Sequence, residues 1–227
     1  MHKEILIDTS HGEIRIAAVE NGKLVELYLD QEDAGHYAGD IYKGRVEDVL
    51  PGLGSAFVDI GHEKRGFLHA SDVVLTGIED IDEVFSESQG EREHFASTAK
   101  GSIRDALRTG QDIIVQVTKE SIGEKGPKLT TAITIPGRYL VLMPFAHRIN
   151  ISSRIENACE RERLREILEG VKPAAHGFIV RTAAEGVEPA FIFHDLEELM
   201  ATWQRVVTAF ERKRAPALLY KDKDLME

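Results

Sequence analysis

The stretch that decides the fold spans residues 39–61 and reads GDIYKGRVEDVLPGLGSAFVDIG. Two runs rich in β-branched and aromatic residues stand on either side of a Pro-Gly-Leu-Gly turn sequence at 51–54. RGFLH at 65–69 and IIVQV at 113–117 supply two further strand candidates. Short strands punctuated by glycine turns are typical of a small barrel, in which closure removes open strand edges. The sequence therefore predicts a small β-barrel in this part of the chain.

Three short apolar runs before the barrel also indicate strands, at 5–7, 14–19 and 24–29. Asn21-Gly22 stands between the second and third runs and supplies the positive φ angles that a two-residue hairpin needs. The polar, glycine-containing segment 31–40 then breaks the pattern. We therefore predict an antiparallel β meander over 1–35, followed by the barrel domain over 36–128.

The chain after the barrel mixes strand and helix patterns. Apolar runs at 139–143 and 178–182 indicate strands, and the charged segment 160–168 between them indicates a helix. A strand-like run follows at 217–220. The final long helix, with Asp195 near its predicted start, is marked by an apolar face at helical spacing: Leu196, Leu199, Trp203, Val206, Val207 and Phe210. The whole pattern predicts an α+β fold whose third segment spans 129–227.

The composition excludes several classes of protein. The 227 residues carry a formal net charge of -11, so a nucleic-acid site must be local rather than a broad basic surface. Much of the acidity falls in 79–93, which we interpret as a solvated surface insertion. The single Cys159 forms no internal disulfide and no zinc site by itself. No apolar run approaches about 18 residues and no signal-peptide core follows Met1, so we expect a cytoplasmic protein without membrane contact.

Phe57 and Phe67 are the candidate nucleic-acid contacts of the barrel. They lie ten residues apart, about one strand plus a turn, and can therefore share one face of the sheet. OB-type (oligonucleotide-binding) barrels bind single strands by stacking bases on exposed aromatic rings while basic side chains hold the phosphates. The alternative is that both rings point into the barrel interior as ordinary core residues.

These motifs give the chain a strong resemblance to the ribonuclease E and ribonuclease G family. IYKG at 41–44, AFVD at 56–59 and GFL at 66–68 resemble the family's OB-type RNA-binding domain, which is named after ribosomal protein S-one. The N-terminal hairpins resemble the first part of its RNase H-like subdomain. Four later motifs resemble its 5′-phosphate-sensing subdomain: LTT at 129–131, GRYLVLMP at 137–144, ISSRIE at 151–156 and IVRTA at 179–183. This context favours stacking on RNA over a core position for Phe57 and Phe67.

The resemblance implies a set of residues that bind a 5′-monophosphate. Arg181 would hold the phosphate bidentately, and Thr182 would add a hydrogen bond from its hydroxyl. Gly137 would present its backbone amide, Val141 would pack on the adjacent nucleotide and Arg154 would add charge. Because successive strand residues point to opposite faces, Arg181 and Thr182 can serve one ligand only at a strand end or bulge. Taken alone, a Val-Arg-Thr sequence is more typical of a surface ion pair.

The resemblance also implies a lysine that clamps RNA and several features outside the chain. Lys125 matches the clamping lysine, with an ordinary exposed turn lysine as the alternative. The family's catalytic aspartate pair, which binds Mg²⁺, and its Cys-Pro-x-Cys zinc link between protomers lie beyond the point that matches Glu227. We therefore expect no catalytic residue, metal or other cofactor in this chain, a partial RNase H-like subdomain, and oligomerisation only in the full-length enzyme. The nine histidines lack metal-ligand spacing and receive no catalytic role.

Two functions from different classes follow. The first is the RNA-binding, 5′-monophosphate-sensing N-terminal portion of an endoribonuclease that cleaves single-stranded RNA in RNA decay or ribosomal RNA processing, with this chain alone inactive. Its partner would be single-stranded RNA, and neither DNA nor a membrane. The alternative is a stand-alone, non-catalytic RNA-binding regulatory protein. A third, purely protein-docking role for the barrel or the acidic insertion is weaker.

Overall fold

The computed structural model describes residues 2–9, 13–31, 36–74, 103–171, 173 and 175–222. The chain divides into two compact units, one formed by Met1–Tyr37 with Asp222–Glu227 and the other by Ala38–Lys221. The acidic segment 79–93, interpreted above as a surface insertion, lies outside the described residues.

The first unit is a three-stranded antiparallel sheet in the order β1-β2-β3, which confirms the predicted meander. The strands are β1 (Lys3–Asp8), β2 (Glu13–Glu20) and β3 (Lys23–Gln31). Asn21 and Gly22 form the turn between β2 and β3 with φ angles of 50° and 77°. Many apolar side chains of the outer strands are exposed, namely Ile5, Leu6, Ile7, Leu24, Val25, Leu27 and Leu29.

The second unit begins with a closed five-stranded barrel, so the predicted OB-like fold is confirmed. Its strands are β4 (Ile41–Leu50), β5 (Ser55–Asp59), β6 (Gly66–His69), β7 (Asp112–Lys119) and β8 (Lys128–Thr130), and a short helix α1 (Ile103–Ala106) precedes β7. Pairing runs β4-β5-β6-β8-β7 and returns from β7 to β4. The interior is filled by small and branched apolar side chains: Val46, Ala56, Val58, Leu68, Val115, Val117 and Leu129.

A four-stranded mixed sheet and two helices follow the barrel. The strands are β9 (Ile135–Pro136), β10 (Leu140–Met143), β11 (Ile149–Ile151) and β12 (Gly177–Val180), in the order β11-β12-β10-β9. The helices are α2 (Ala158–Glu169) and α3 (Pro189–Arg212). One face of the sheet forms a core with them through Leu140, Leu142, Phe178, Val180, Leu164, Leu196, Leu199 and Trp203. Among the described helices, none has the length and apolar character to cross a bilayer.

The start of α3 corrects one prediction. The sequence placed Asp195 near the beginning of the long helix, whereas the helix begins at Pro189. Proline is favoured in the first helical turn, where its missing N–H would lack a partner in any case, and Glu188 precedes it as the N-cap. Asp195 therefore lies inside the helix, and its side chain is buried at 7% exposure.

The barrel and the following sheet are tied together at the C-terminal end of α3. A last strand, β13 (Ala217–Tyr220), pairs antiparallel with β4, with Ala217 opposite Lys43. Lys43 Nζ donates to the carbonyls of Phe210 at 2.8 Å and Lys213 at 3.0 Å, and lies 4.5 Å from the Phe210 ring centroid. The last carbonyls of a helix have no partner within the helix, so this buried ammonium satisfies the end of α3 from the barrel.

Candidate nucleic-acid interface

The two predicted aromatic residues form one pair on the barrel. Phe57 on β5 and Phe67 on β6 lie directly opposite each other, with ring centroids 6.0 Å apart and ring planes inclined by 64°. Both side chains are half-buried, whereas the adjacent Ala56, Val58 and Leu68 have 0% exposure. Because side chains alternate along a strand, the two rings lie on the outer surface of the barrel and not among its core residues.

His69 extends this aromatic row, and the sequence reasoning missed it. Its ring centroid lies 6.5 Å from that of Phe67, with the ring planes tilted by only 32°. Nδ1 of His69 accepts the backbone amide of Ser71 at 3.2 Å, which fixes the ring. Strand alternation is the sequence signal that could have found it, because residues two apart on β6 share a face. The barrel therefore presents three neighbouring rings.

Basic side chains border the rings and are held by carboxylates. The Arg65 guanidinium carbon lies 5.1 Å from the Phe57 ring centroid, and Arg65 Nη1 lies 3.0 Å from Asp48 Oδ2. Lys128, on the neighbouring β8, places Nζ 2.9 Å from Asp72 Oδ2. These pairs are partly exposed, so they orient the cations without contributing much stability. Each cation beside the rings is therefore paired with a carboxylate, which an RNA phosphate would have to replace or accompany.

Lys125 lies on an exposed turn between β7 and β8. The backbone groups of Ile122 and Lys125 pair through two hydrogen bonds of 3.1 and 3.0 Å. A Cβ added at Gly126 would lie 1.9 Å from the Arg65 carbonyl oxygen, so the turn packs directly against the segment that carries Arg65. Lys64 also donates from Nζ to the carbonyl of Gly123 in this turn. The turn with Lys125 therefore adjoins the segment whose arginine covers Phe57.

The second cluster of predicted residues lies where β12 ends. The strand stops one residue before Arg181, and Thr182 opens a short 3-10 helix, so the chain has the strand end that this residue pair requires. Arg181 donates from its amide to the Tyr139 carbonyl at 2.8 Å and from Nη1 to the Gly137 carbonyl at 2.6 Å. The hydroxyl oxygens of Thr182 and Ser152 are 3.2 Å apart, within hydrogen-bonding distance.

Gly137 has a different local partner from the one the resemblance implied. Its amide donates to the Leu140 carbonyl at 2.8 Å, so a phosphate that uses this amide would have to share or displace that carbonyl. The carboxylate of Asp195 accepts the amides of Arg138, Tyr139 and Leu140 at 3.0, 2.9 and 2.9 Å. The role of the Gly137 amide in binding phosphate stays a prediction.

Val141 and Arg154 lie on either side of this cluster. Val141 is half-buried on the sheet face opposite to the core, directly across from Ile179 on β12. Arg154 is exposed in the loop after β11, and its amide lies 3.4 Å from Ser152 Oγ. Within the part of the chain that the structure describes, neither Arg154 nor Arg181 forms an ion pair with a carboxylate. Two arginines without acidic partners favour an anionic ligand here.

Helix α2 fixes the loops that carry these residues. The Glu160 carboxylate accepts Arg163 Nε at 2.7 Å and Nη2 at 2.6 Å, as well as the Gly186 amide at 2.9 Å. The Arg163 hydrogen bonds, followed by the Gly186 amide, lower the pKa of Glu160 to about 2. Arg161 donates from Nη1 to the Ser152 carbonyl at 2.7 Å. The loops on both sides of the hydroxyl pair are therefore anchored to one helix.

The fold and the aromatic face define a class of protein, an OB-type barrel with a nucleic-acid-binding surface joined to a second α+β subdomain. Comparison with protein families agrees with both parts. Residues 36–131 match the S1 RNA binding domain, and residues 134–227 match the Ribonuclease E/G family.

Whole-chain relatives point to the same family. The chain is 41% identical over 221 residues to Ribonuclease G of Escherichia coli strain K12, covering 97% of this chain and 42% of that protein. It is 44% identical over 210 residues to Ribonuclease G of Haemophilus influenzae, covering 92% and 40%. It is 39% identical over 229 residues to Ribonuclease E of Nostoc sp., covering 100% and 30%. The chain belongs to the ribonuclease E/G family, as the sequence motifs predicted, and it spans less than half the length of these relatives.

Proposed function

We propose that this chain is the RNA-binding and 5′-monophosphate-sensing N-terminal portion of a ribonuclease E/G-type endoribonuclease. The observation that carries the proposal is the convergence of Arg181 and Thr182 at one strand end. There the guanidinium has no carboxylate partner among the described residues, and the hydroxyl is paired with that of Ser152. The aromatic row on the barrel supports the RNA-binding part of the same proposal.

The barrel face binds the body of a single strand. Successive bases stack on Phe57, Phe67 and His69, which contributes about 1–3 kcal/mol for each stacked base. Arg65 and Lys125 approach the backbone phosphates beside the rings. Stacking tolerates any base, because every base has a π face, so this part of the site holds RNA without reading its sequence.

The end of β12 binds the terminal phosphate. Arg181 uses one N–H on the Gly137 carbonyl, and its remaining donors form a fork that matches two phosphate oxygens. Thr182 donates its hydroxyl to a third oxygen, Arg154 adds charge, and Val141 offers an apolar surface to the first nucleotide. A 5′-hydroxyl end lacks the anion that these donors need, so the site distinguishes the two kinds of RNA end.

Cleavage belongs, in this proposal, to the longer family enzyme. We assign the described residues no catalytic step, because the resemblance implies that the family's catalytic aspartate pair lies in a part of the family enzyme that this chain does not match. Four points stay predictions for that enzyme, namely Mg²⁺ for hydrolysis, zinc at the protomer link, oligomerisation and a cytoplasmic location. Reading the gene beyond the codon for Glu227 separates this proposal from a stand-alone RNA-binding regulator.

The test is a competition between two RNAs that differ only at the 5′ end. Fluorescence anisotropy at one fixed salt concentration compares 5′-monophosphate with 5′-hydroxyl RNA on wild type, Arg181→Lys and Thr182→Val. A bidentate, charge-assisted contact contributes about 1.5–3 kcal/mol, so we expect wild type to prefer the 5′-monophosphate about ten- to a hundredfold. Arg181→Lys keeps the charge but loses the planar fork, so most of the preference disappears.

Arg165→Lys on the exposed face of α2 is the matched control, because it makes the same change away from the site. It keeps the wild-type preference. Equal wild-type affinities for the two RNAs would contradict phosphate sensing by this chain.

A further inference from the structure

We propose that Asp195 is the positioning residue of the 5′-phosphate site, an inference that rests on the function proposed above. Asp195 lies within α3, and its side chain is buried at 7% exposure. Its carboxylate accepts three consecutive backbone amides, those of Arg138, Tyr139 and Leu140, at 2.9–3.0 Å. The family resemblance assigned this aspartate no role.

The segment that Asp195 holds is the one on which Arg181 rests. The Arg181 amide donates to the Tyr139 carbonyl at 2.8 Å, and its Nη1 donates to the Gly137 carbonyl at 2.6 Å. The backbone of 137–140 therefore fixes both the main chain and the guanidinium of Arg181. A shift of this segment moves the guanidinium fork away from the place where it meets the phosphate, since bidentate contacts tolerate little displacement.

Gly137 is part of the same arrangement. A Cβ added there would lie 2.6 Å from Asp195 Oδ1 and 2.7 Å from Oδ2, closer than real Cβ contacts allow. The missing side chain at this position therefore lets the carboxylate approach the backbone. This gives the glycine a structural reason that is independent of any phosphate.

The arrangement uses both carboxylate oxygens of Asp195 as acceptors. A carboxylate offers acceptor sites on two oxygens, which here serve three N–H donors. An asparagine offers one acceptor oxygen and turns an NH₂ group towards at least one N–H, so two donors oppose each other. The expected result of Asp195→Asn is a chain that is folded but has a displaced 137–140 segment.

The experiment measures the preference for 5′-monophosphate over 5′-hydroxyl RNA by anisotropy on wild type, Asp195→Asn and Gly137→Ala. We expect the preference for 5′-monophosphate RNA to fall about tenfold in both variants, because they bind the 5′-monophosphate RNA more weakly. Glu197→Gln is the matched control: it removes the same charge from an exposed position of the same helix and keeps the preference. A thermal melt of each protein establishes that it is folded.

A double-mutant cycle with Arg181→Lys distinguishes positioning from a general structural effect. If Asp195 acts through Arg181, Asp195→Asn causes little further loss of preference in the Arg181→Lys background. Additive losses would overturn the proposal. So would a folded Asp195→Asn that keeps the wild-type preference, whereas a wild type without any preference would refute the sensing function itself.

A measurement on wild type decides the question even if both variants fail to fold. A 5′-phosphorylated dinucleotide should shift the amide NMR signals of Arg138, Tyr139 and Leu140, and the 5′-hydroxyl form should not. Unchanged amide signals on binding the phosphorylated dinucleotide would overturn the proposal.

Discussion

Replacing Phe57 or Phe67 by alanine separates the loss of RNA binding from the loss of stability. A fully buried phenylalanine costs about 3–5 kcal/mol of folding stability when truncated to alanine. Both rings are only half-buried, and their edge contact at 6.0 Å adds about 0.5–1.5 kcal/mol, so we expect each variant to lose about 2 kcal/mol of stability. The RNA should lose about 1–3 kcal/mol of binding free energy, or about five- to 150-fold in affinity.

The assay is anisotropy of a labelled single-stranded RNA at fixed salt, with urea unfolding of the same samples. Two phenylalanines of the same chain serve as controls. Phe178→Ala empties a core position with 0% exposure, so it shows the full stability loss of about 3–5 kcal/mol. Phe191→Ala removes a ring that is 57% exposed on α3, so it changes neither stability nor RNA affinity appreciably.

Two results would refute the stacking argument. The first is that both single variants, Phe57→Ala and Phe67→Ala, fold and bind RNA with an affinity within about twofold of wild type, since the loss of each stacked base should lower the affinity at least about fivefold. The second is a stability loss as large as that of Phe178→Ala, because this would make the rings core residues.

Three further predictions concern the supports of the site and the chemistry of the chain. Lys43→Met leaves the carbonyls at the end of α3 without their donor, so urea unfolding should show a loss of about 1–3 kcal/mol in the free energy of unfolding. The control Lys119→Met, at an exposed position of β7, should leave the stability nearly unchanged. The pKa of Glu160 is lowered from 4.5 to about 2 in the folded chain, so its contribution to stability is complete above pH 4.5 and is lost as the pH falls towards 2. The destabilisation caused by Glu160→Gln should therefore be smaller at about pH 3 than at about pH 6, because the contribution of the carboxylate falls below about pH 4.5. A destabilisation that stays the same at both pH values would contradict the role of its ion pair with Arg163. The purified chain with Mg²⁺ should leave single-stranded RNA intact on a gel, and cleavage that a point mutation in the chain abolishes would show that it carries a nuclease site.

Local signals were enough to predict the architecture. Asn21-Gly22 specifies the β2–β3 hairpin because few other residue pairs adopt its positive φ angles, and the glycine-bounded runs around Phe57 and Phe67 specify barrel strands. The spacing of those two rings also placed them on one face correctly. The meander, the barrel and the aromatic pair are all encoded within short stretches of sequence.

Contacts between distant segments were beyond the sequence pattern. Asp195 adjoins the apolar stripe of α3, and nothing local shows that its carboxylate meets amides 55–57 residues earlier in the chain. Lys43 resembles an ordinary strand lysine in the sequence, although its ammonium donates to a carbonyl at the end of α3, 170 residues further along the chain. Both are polar side chains that can be buried only because a distant segment of the chain supplies their hydrogen-bonding partners. The local sequence around each residue does not indicate which segment that is.

The pairing of β13 with β4 has a consequence for the order of events during synthesis. Lys43 and the carbonyl it binds at Lys213 are separated by 170 residues, so a ribosome working at about 5–20 residues per second makes them about 10–30 s apart. Throughout that interval the nascent barrel has an open edge along the first residues of β4 and an ammonium without its helix. An open edge is a template for pairing with another chain, so the emerging polypeptide is most vulnerable to self-association before α3 and β13 are complete.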